Sequence, residues 1–254
     1  MRIQFASDLH LEFKENLAYI QSNPFEVTGD ILILAGDTFY LNDTTMPKIR
    51  FWKWASQNYQ QVMLLPGNHE FYNNGDVTAR GDSWQYMFLE NVGYYYNKVV
   101  RIGDVDIILS TLWSHIREEN EFCVFRGMND FRQILYDKHR LFPENYNTEY
   151  EKCLAFIKQS VCESTARRIV VVSHHIPTFQ AVVKHHINNS VSNAYVTELG
   201  DFIVDSQIDY WIYGHSHENI DTEIGSTKIL SNQLGYLFNG DRVQGFSESK
   251  FIEL

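Results

Sequence analysis

The sequence is poor in cysteine and in proline. It contains 3 cysteines and 5 prolines in 254 residues. The cysteines show no C-x-x-C spacing, and Cys153 and Cys162 lie in one stretch with helical periodicity. Nine residues along a helix separate them by roughly 13 Å, which is too far for a disulfide. The sequence therefore predicts neither a disulfide framework nor a cysteine-based metal site.

Long hydrophobic runs are also missing. The run Ile31–Ala35 has five residues, and no unbroken apolar run is longer, whereas a membrane-spanning helix needs about 20. The chain begins MRIQFASDLH, so Asp8 and His10 lie where the apolar core of a secretory signal would be. We therefore expect no membrane segment, and the expected location is the cytoplasm.

Positive charge is scarce. There are 21 lysine and arginine residues against 32 aspartate and glutamate residues, which gives a formal net charge of -11. A negative field repels polyanions and anionic membrane surfaces, so it disfavours non-specific binding of nucleic acid. It does not exclude a small phosphate-bearing substrate, because a bound metal ion inverts the charge of its immediate surroundings.

The remaining composition is that of a globular protein, with 44% hydrophobic and 21% charged residues. We find no internal repeat, no low-complexity tract and no linker rich in proline, glycine or serine. The sequence therefore predicts a single domain over residues 1–254.

Five short apolar runs predict buried strands. Each is rich in β-branched, aliphatic or aromatic residues and is flanked by glycine, proline or polar residues. The runs are Ile3–Ala6, Ile31–Leu34, Val62–Leu65, Ile169–Val172 and Tyr210–Tyr213. Helical periodicity is found between them at Pro47–Tyr59 and Thr148–Glu163. This alternation predicts an α/β fold with helices outside the sheet.

Two other regions predict strands that pair in antiparallel fashion. The first is Tyr94–Trp113, with a turn at Gly103–Asp104, and the second is the C-terminal region Ile220–Leu254. Both contain short apolar stretches separated by glycine or polar turn residues.

A cluster of polar side chains that can bind metals follows each of the five predicted strands. In open α/β sheets, ligands bind at the carboxyl ends of the strands, so we expect the clusters to converge. Six of the 10 histidines fall inside them. The clusters are Asp8-Leu9-His10, Gly36-Asp37, Gly67-Asn68-His69-Glu70, His174-His175 and Gly214-His215-Ser216-His217.

These side chains predict a centre of two metal ions. Mixed imidazole and oxygen ligands suit Mn, Fe, Zn, Ni or Co better than Ca or Mg, and they are too many for one tetrahedral zinc ion. Two ions about 3.5–4 Å apart, sharing one carboxylate, would accommodate them. Asp37 is the natural bridge, because it follows a glycine and offers two oxygens. With Asp8, Asp37 and a bridging hydroxide, two divalent ions keep a positive charge that can hold a phosphoryl group.

The ordered series D-x-H, G-D, G-N-H-E, H-H and G-H-x-H resembles the calcineurin-like metallophosphoesterase superfamily. It extends from residue 8 to residue 217. The resemblance implies two mixed β-sheets packed as a sandwich with helices on the outer faces, four layers in all. Met128–Phe131, Leu112–Ser114 and Asn232–Tyr236 are similar to segments of a cytosolic bacterial branch, in which proline replaces Gln233.

The resemblance also implies residue roles. His69 would be the general acid at the leaving group, Glu70 its orienting partner, and His175 would lie outside the ligand set. Seven residues would bind the metals in two sets that share one carboxylate: Asp8, His10 and His217 at the first ion, Asn68, His174 and His215 at the second, and Asp37 at both.

Several of these residues also have purely structural interpretations. Asp37 could be a turn residue, and Asn68 could cap a helix that begins near His69. His174 and His175 could be a buried and an exposed histidine that hydrogen bond to the backbone. The metal-centre hypothesis is favoured because these features would otherwise have to coincide at five strand ends.

Outside the clusters, Arg126 and Arg132 are candidate phosphate clamps. His185 and His186 lie in a loop-like stretch and are interpreted as surface residues.

The expected function is that of a metal-dependent phosphoesterase. The resemblance implies hydrolysis of small phosphomonoesters or phosphodiesters by in-line attack of a metal-bridging hydroxide, with His69 as general acid. Two alternatives are a non-catalytic scaffold with the same fold and a nuclease of the same superfamily. The full set of ligands argues against the scaffold, and the net charge of -11 argues against the basic groove that a nuclease needs.

Overall fold

The computed structural model describes residues 1–183, 191–238 and 244–254. In these residues the helices are α1 Lys14–Ser22, α2 Arg50–Asn58, α3 Glu121–Gly127, α4 Asp130–Gln133, α5 Pro143–Glu163 and α6 Gly200–Val204. The strands are β1 Arg2–Ala6, β2 Ile31–Ala35, β3 Gln61–Leu65, β4 Gly75–Asp76, β5 Trp84–Leu89, β6 Val92–Tyr96, β7 Lys98–Ile102, β8 Val105–Ser110, β9 Ile134–Tyr136, β10 His139–Arg140, β11 Arg168–Ser173, β12 Tyr210–Tyr213, β13 Thr222–Ile224, β14 Thr227–Ser231 and β15 Phe251–Glu253.

Two large mixed sheets share one plan. The first has the order β15-β1-β2-β3-β6-β5 and the second the order β13-β14-β12-β11-β8-β7. In each sheet the four central strands are parallel and the strand at either edge is antiparallel. A small third sheet has the order β10-β9-β4. Parallel central strands bring their carboxyl ends to the same edge of a sheet, which is where the polar clusters follow.

Residues of the central strands alternate between two apolar layers. In β2, Ile31 and Ile33 pack in a core that also contains Val170 and Val172 of β11. This core lies between the two sheets. Neighbouring residues of the same strands point outward: Leu32 and Leu34 pack with α1 and α2, and Ile169 and Val171 pack with α5 and α6. The predicted four-layer α/β sandwich is confirmed.

The predicted elements differ from the observed ones mainly at their ends. Helix α2 begins at Arg50, because Ile49 is extended and separates it from a short 3-10 turn at Met46–Lys48 that contains Pro47. Helix α5 begins at Pro143 instead of Thr148. Its first turn is closed by a hydrogen bond from the backbone N–H of Phe142 to Oδ1 of Asn145 (3.1 Å). The spacing of apolar residues does not reveal a polar contact of this kind, so it placed the start of the helix too late.

The predicted antiparallel pairs are present, with one addition. β7 and β8 form the hairpin that turns at Gly103–Asp104. In the C-terminal region β13 pairs with β14, and β15 pairs with β1, all antiparallel. β14, however, also pairs with β12 in parallel, so it is a central strand of the second sheet. No helix in the described part of the chain is long and apolar enough to cross a membrane.

Candidate metal centre

The five polar clusters converge where the central strands of both sheets end. Asp8 and His10 follow β1, Asp37 follows β2, and Asn68 and His69 follow β3. From the second sheet, His174 follows β11, and His215 and His217 follow β12. All of these side chains are buried except that of His217, which is 22% exposed. The structure thus brings together every residue of the predicted site.

Five of these residues have left-handed backbone conformations, which residues other than glycine rarely adopt. The φ angles are +55° at Asp8, +46° at His10, +53° at Asp37, +80° at His215 and +55° at His217. Such conformations persist only where the surrounding structure holds them, and they concentrate at functional sites. Here the backbone N–H of His215 donates to the carboxylate of Asp8 (3.1 Å), and that of His10 donates to the carbonyl of Asp37 (2.9 Å).

One group of ligand-type atoms comprises Asp8, His10 and His217. Nε2 of His10 lies 3.0 Å from Nε2 of His217, and the latter lies 3.4 Å from Oδ1 of Asp8. All three ligand atoms lie within 4.8 Å of one another. Nδ1 of His10 is 3.0 Å from the carboxylate of Glu12, so His10 can donate from Nδ1 and leave Nε2 free as a ligand.

A second group comprises Asp37, His174 and His215. Nε2 of His174 lies 3.3 Å from Oδ1 of Asp37 and 3.0 Å from Nδ1 of His215. It also lies 3.1 Å from the amide oxygen of Asn68. Nδ1 of His174 is 2.9 Å from the carbonyl of Ala35, which again leaves Nε2 facing the group.

Asp37 lies between the two groups. Its Oδ1 faces His174, and its Oδ2 lies 3.7 Å from Nε2 of His10. Burial raises the pKa of Asp37, but the neighbouring His174, His69 and His10 outweigh burial and hold it well below the usual value. The carboxyl group is therefore ionised, as a metal ligand must be.

Two glycines are needed for this close approach. A Cβ on Gly67 would lie 2.2 Å from Oδ1 of Asp37 and 2.7 Å from Nε2 of His174. A Cβ on Gly36, which has a φ of +90°, would lie 2.3 Å from Nδ1 of His174. No real Cβ contact is this short, so any other residue would displace these groups.

His69 is held by a different set of partners. Its Nδ1 lies 2.8 Å from Oε1 of Glu12, its Nε2 lies 3.1 Å from the hydroxyl of Tyr236, and its ring stacks on Tyr72 at 4.1 Å. Burial lowers the pKa of His69, but the charges of Asp37 and Glu12 outweigh burial and raise it to about 9. Its ligand atom also lies within 4.8 Å of those of His10 and Asp37, so tests of His69 must include metal content.

The orienting partner of His69 is Glu12 and not Glu70, which corrects the expectation from sequence. The buried Glu12 carboxylate contacts Nδ1 of both His10 and His69 through Oε1. Burial raises the pKa of Glu12, but these two histidines outweigh burial and lower it. One signal could have revealed it: Asp8, His10 and Glu12 occupy alternate positions of the segment D-L-H-L-E.

Glu70 instead holds the loops that carry the predicted ligands. Its carboxylate accepts hydrogen bonds from the backbone N–H groups of Asp37 (2.9 Å), Thr38 (2.8 Å) and Gly67 (2.8 Å) and from the hydroxyl of Tyr94 (3.2 Å). Burial and the charge of Asp37 raise the pKa of Glu70 to about 7. Above that pH the ionised carboxylate joins the ends of β2 and β3.

We therefore expect Glu70→Gln to destabilise the fold at pH 8. Glutamine offers one acceptor oxygen and directs an N–H donor at groups that are themselves donors, and each buried donor left without an acceptor costs about 1–3 kcal/mol. Denaturant unfolding would measure the change, with the exposed Glu26→Gln as control. Equal unfolding midpoints for the two variants would show that Glu70 does not hold these loops.

Asn68 does not act as a helix cap. It precedes the 3-10 turn His69–Phe71, but its side chain makes no capping hydrogen bond. Instead its Nδ2 donates to Oδ1 of Asp130 (2.9 Å), which also accepts from the hydroxyl of Tyr72 (2.6 Å). With Nδ2 engaged in this way, the amide oxygen of Asn68 faces His174. The segment Met128–Phe131 thus contributes a buried carboxylate that orients a predicted ligand.

His175 lies outside both groups. Its Nε2 is 2.8 Å from the hydroxyl of Tyr146, and its Nδ1 is 3.3 Å from the carbonyl of Thr111. Both ring nitrogens therefore have partners within the fold, and one of these is a backbone carbonyl. The interpretation of the pair as one buried and one exposed histidine is wrong, because both are buried.

A cavity of about 650 Å³ opens onto the centre. Asp37, Asn68, His69, His215 and His217 are among the residues that line it. The described residues that line it do not include the predicted phosphate clamps Arg126 and Arg132. The Arg126 guanidinium lies 5.6 Å above the ring of Phe122, and Arg132 donates to the carbonyl of Met128 (3.3 Å). The role of these two arginines as phosphate clamps stays a prediction. His185 and His186 lie outside the described residues.

Comparison with known proteins decides the family. A family model described as calcineurin-like phosphoesterase matches residues 1–219. The chain belongs to this family. This match confirms the prediction from the sequence motifs, which resemble the same superfamily.

Two relatives of this calcineurin-like phosphoesterase match nearly its whole length. The uncharacterized protein L509 of Acanthamoeba polyphaga mimivirus is 27% identical, over 93% of this chain and 92% of its own. The crystal structure of the phosphopantetheinyl hydrolase PptH from Mycobacterium tuberculosis has a TM-score of 0.69 at 18% sequence identity, covering 98% of this chain and 95% of that one. The second likeness shows the fold.

Proposed function

We propose that this calcineurin-like phosphoesterase hydrolyses small phosphate esters with two divalent transition-metal ions. The observation that carries the proposal is the position of Asp37, whose two oxygens face two separate groups of ligand-type atoms. One carboxylate can be shared by two ions about 3.5–4 Å apart, and metal pairs at that spacing occur in phosphatases and nucleases.

The residues present fit two metal ions. In each group two imidazole nitrogens face each other at 3.0 Å. His10 and His174 each have another acceptor for the Nδ1 proton, so the Nε2 atom of each can face the group without a proton. Burial lowers the pKa of His10 and of His215, so both are neutral and offer lone pairs. Imidazole, carboxylate and amide ligands together suit Mn, Fe, Zn, Ni or Co.

Two sets of three residues would hold the ions, with Asp37 common to both. The first set is Asp8, His10 and His217, and the second is Asn68, His174 and His215. When bound, the ions supply an activated water for in-line attack on phosphorus and neutralise charge on the phosphoryl oxygens.

His69 would act on the leaving group. The residue lines the cavity and follows the proposed ligand Asn68, and its two ring nitrogens contact Glu12 and Tyr236. Glu12 holds the proton on Nδ1, so that Nε2 is the atom directed into the cavity region. A histidine placed in this way can donate a proton to the departing oxygen.

The test combines metal analysis with substrate screening. The purified chain would be reconstituted with Mn, Fe, Zn, Ni or Co, analysed for metal content, and assayed on phosphomonoesters and phosphodiesters, including phosphopantetheinyl esters. We expect two ions per chain and hydrolysis of at least one ester class. Absence of bound transition metal after reconstitution, together with no hydrolysis, would contradict the proposal and favour a scaffold.

A further inference from the structure

The hydroxyl of Tyr236 occupies the position next to the proton-donating atom of His69. The two atoms, the tyrosine oxygen and Nε2 of His69, are 3.1 Å apart. On the other side of the ring, Nδ1 lies 2.8 Å from Glu12. A carboxylate, an imidazole and a phenol therefore form a continuous row, and the phenol is its end within the cavity.

The surroundings of Tyr236 fix its ring above the first group of ligands. The ring centroid lies 4.5 Å from that of His10 and 4.4 Å from that of His217. Phe13 packs edge-on against it at 5.5 Å. The backbone is fixed as well, because the N–H of Gly235 donates to the carbonyl of Asp8 (3.1 Å).

Tyr72, which stacks on a face of the His69 ring, cannot take the same part. The hydroxyl of Tyr72 donates to Asp130 at 2.6 Å, so its proton is already committed. Both tyrosines line the cavity, but only the hydroxyl of Tyr236 contacts the imidazole nitrogen Nε2.

We propose that Tyr236 is a further catalytic residue, whose hydroxyl passes the proton of His69 to the oxygen of the leaving group. This inference rests on the proposed phosphoesterase function. As the P–O bond breaks, the departing oxygen takes the proton of the tyrosine hydroxyl, and the tyrosine oxygen takes the proton from Nε2 of His69. His69 is left neutral, because it keeps its Nδ1 proton in the hydrogen bond to Glu12, and solvent then returns a proton to Nε2.

Tyr236→Phe tests the relay because it removes the hydroxyl and keeps the ring. We expect turnover of an alkyl phosphate to fall about as far as in His69→Ala, by about 10²-fold or more, with much less change for p-nitrophenyl phosphate, whose leaving group needs no proton. Metal content should stay at the wild-type level. The matched control is Tyr86→Phe, since Tyr86 lies on β5 away from the cavity.

Two further measurements separate a relay from a role in packing. In His69→Ala/Tyr236→Phe the two losses should not multiply, because both residues serve one proton transfer. With an alkyl phosphate, rates in mixtures of H₂O and D₂O should report two moving protons in the wild type. Multiplying losses, or equal losses for alkyl and p-nitrophenyl esters, would overturn the relay.

Failure of the relay can be distinguished from failure of the proposed function. If the wild type binds no metal and hydrolyses no ester, both proposals fall. If the wild type is active and His69→Ala is impaired selectively on alkyl phosphates while Tyr236→Phe retains full turnover of them, only the relay falls.

Discussion

Replacing Asp37 by asparagine is expected to release both metal ions and to reduce phosphoester hydrolysis by more than about 10²-fold. Substitutions of residues that only orient a ligand already cost up to about 10²-fold, so the loss of a shared ligand should cost more. Asp37 is the one proposed ligand common to both groups, and its two oxygens face His174 and His10 separately. The amide keeps one acceptor oxygen, loses the negative charge and presents N–H donors where a cation should bind. Elemental analysis after reconstitution and gel filtration would measure the change.

Two single-set variants serve as controls for that result. His217→Ala should weaken mainly the first ion and His215→Ala mainly the second, because each belongs to one group. Each should therefore retain more metal than Asp37→Asn. Two fully occupied sites in Asp37→Asn, or in Asp37→Ala, would contradict the bridging role.

His69→Ala is expected to cut the turnover of alkyl phosphates by about 10²–10⁴-fold, the usual contribution of general acid catalysis. The departing alkoxide is strongly basic and needs a proton, whereas p-nitrophenolate leaves readily without one. Hydrolysis of p-nitrophenyl esters should therefore change much less. Rates for both substrates would be measured on samples of known metal content.

The control for His69 is His115→Ala, which removes an exposed histidine. It should leave both rates unchanged. Equal losses on the two leaving groups with metals intact would mean that His69 orients the phosphate or the attacking water. Loss of metal would place His69 among the ligands, where its proximity to His10 and Asp37 would allow it.

The sequence alone was sufficient for the framework of the fold and for the composition of the candidate site. The five predicted strands exist, and each ends within one or two residues of its polar cluster. The reason is that buried parallel strands are encoded locally, as short apolar runs, and the parallel arrangement places the carboxyl ends within each sheet at one edge. Residues that follow β1, β2 and β3 therefore lie together, as do those that follow β11 and β12, and the packing of the two sheets brings the two sets to one site.

Only the tertiary structure decided which side chain partners which. Glu70 is next to His69 in sequence, yet its carboxylate turns to the backbone of Asp37 and Thr38. The partners of His69 are Glu12 and Tyr236, 57 and 167 residues away. Contacts of this kind depend on how β1, β3 and the C-terminal region are placed together, and no local periodicity encodes that placement. The left-handed backbone at Asp8, His10 and Asp37 has the same origin, because long-range hydrogen bonds stabilise conformations that these residues would not adopt alone.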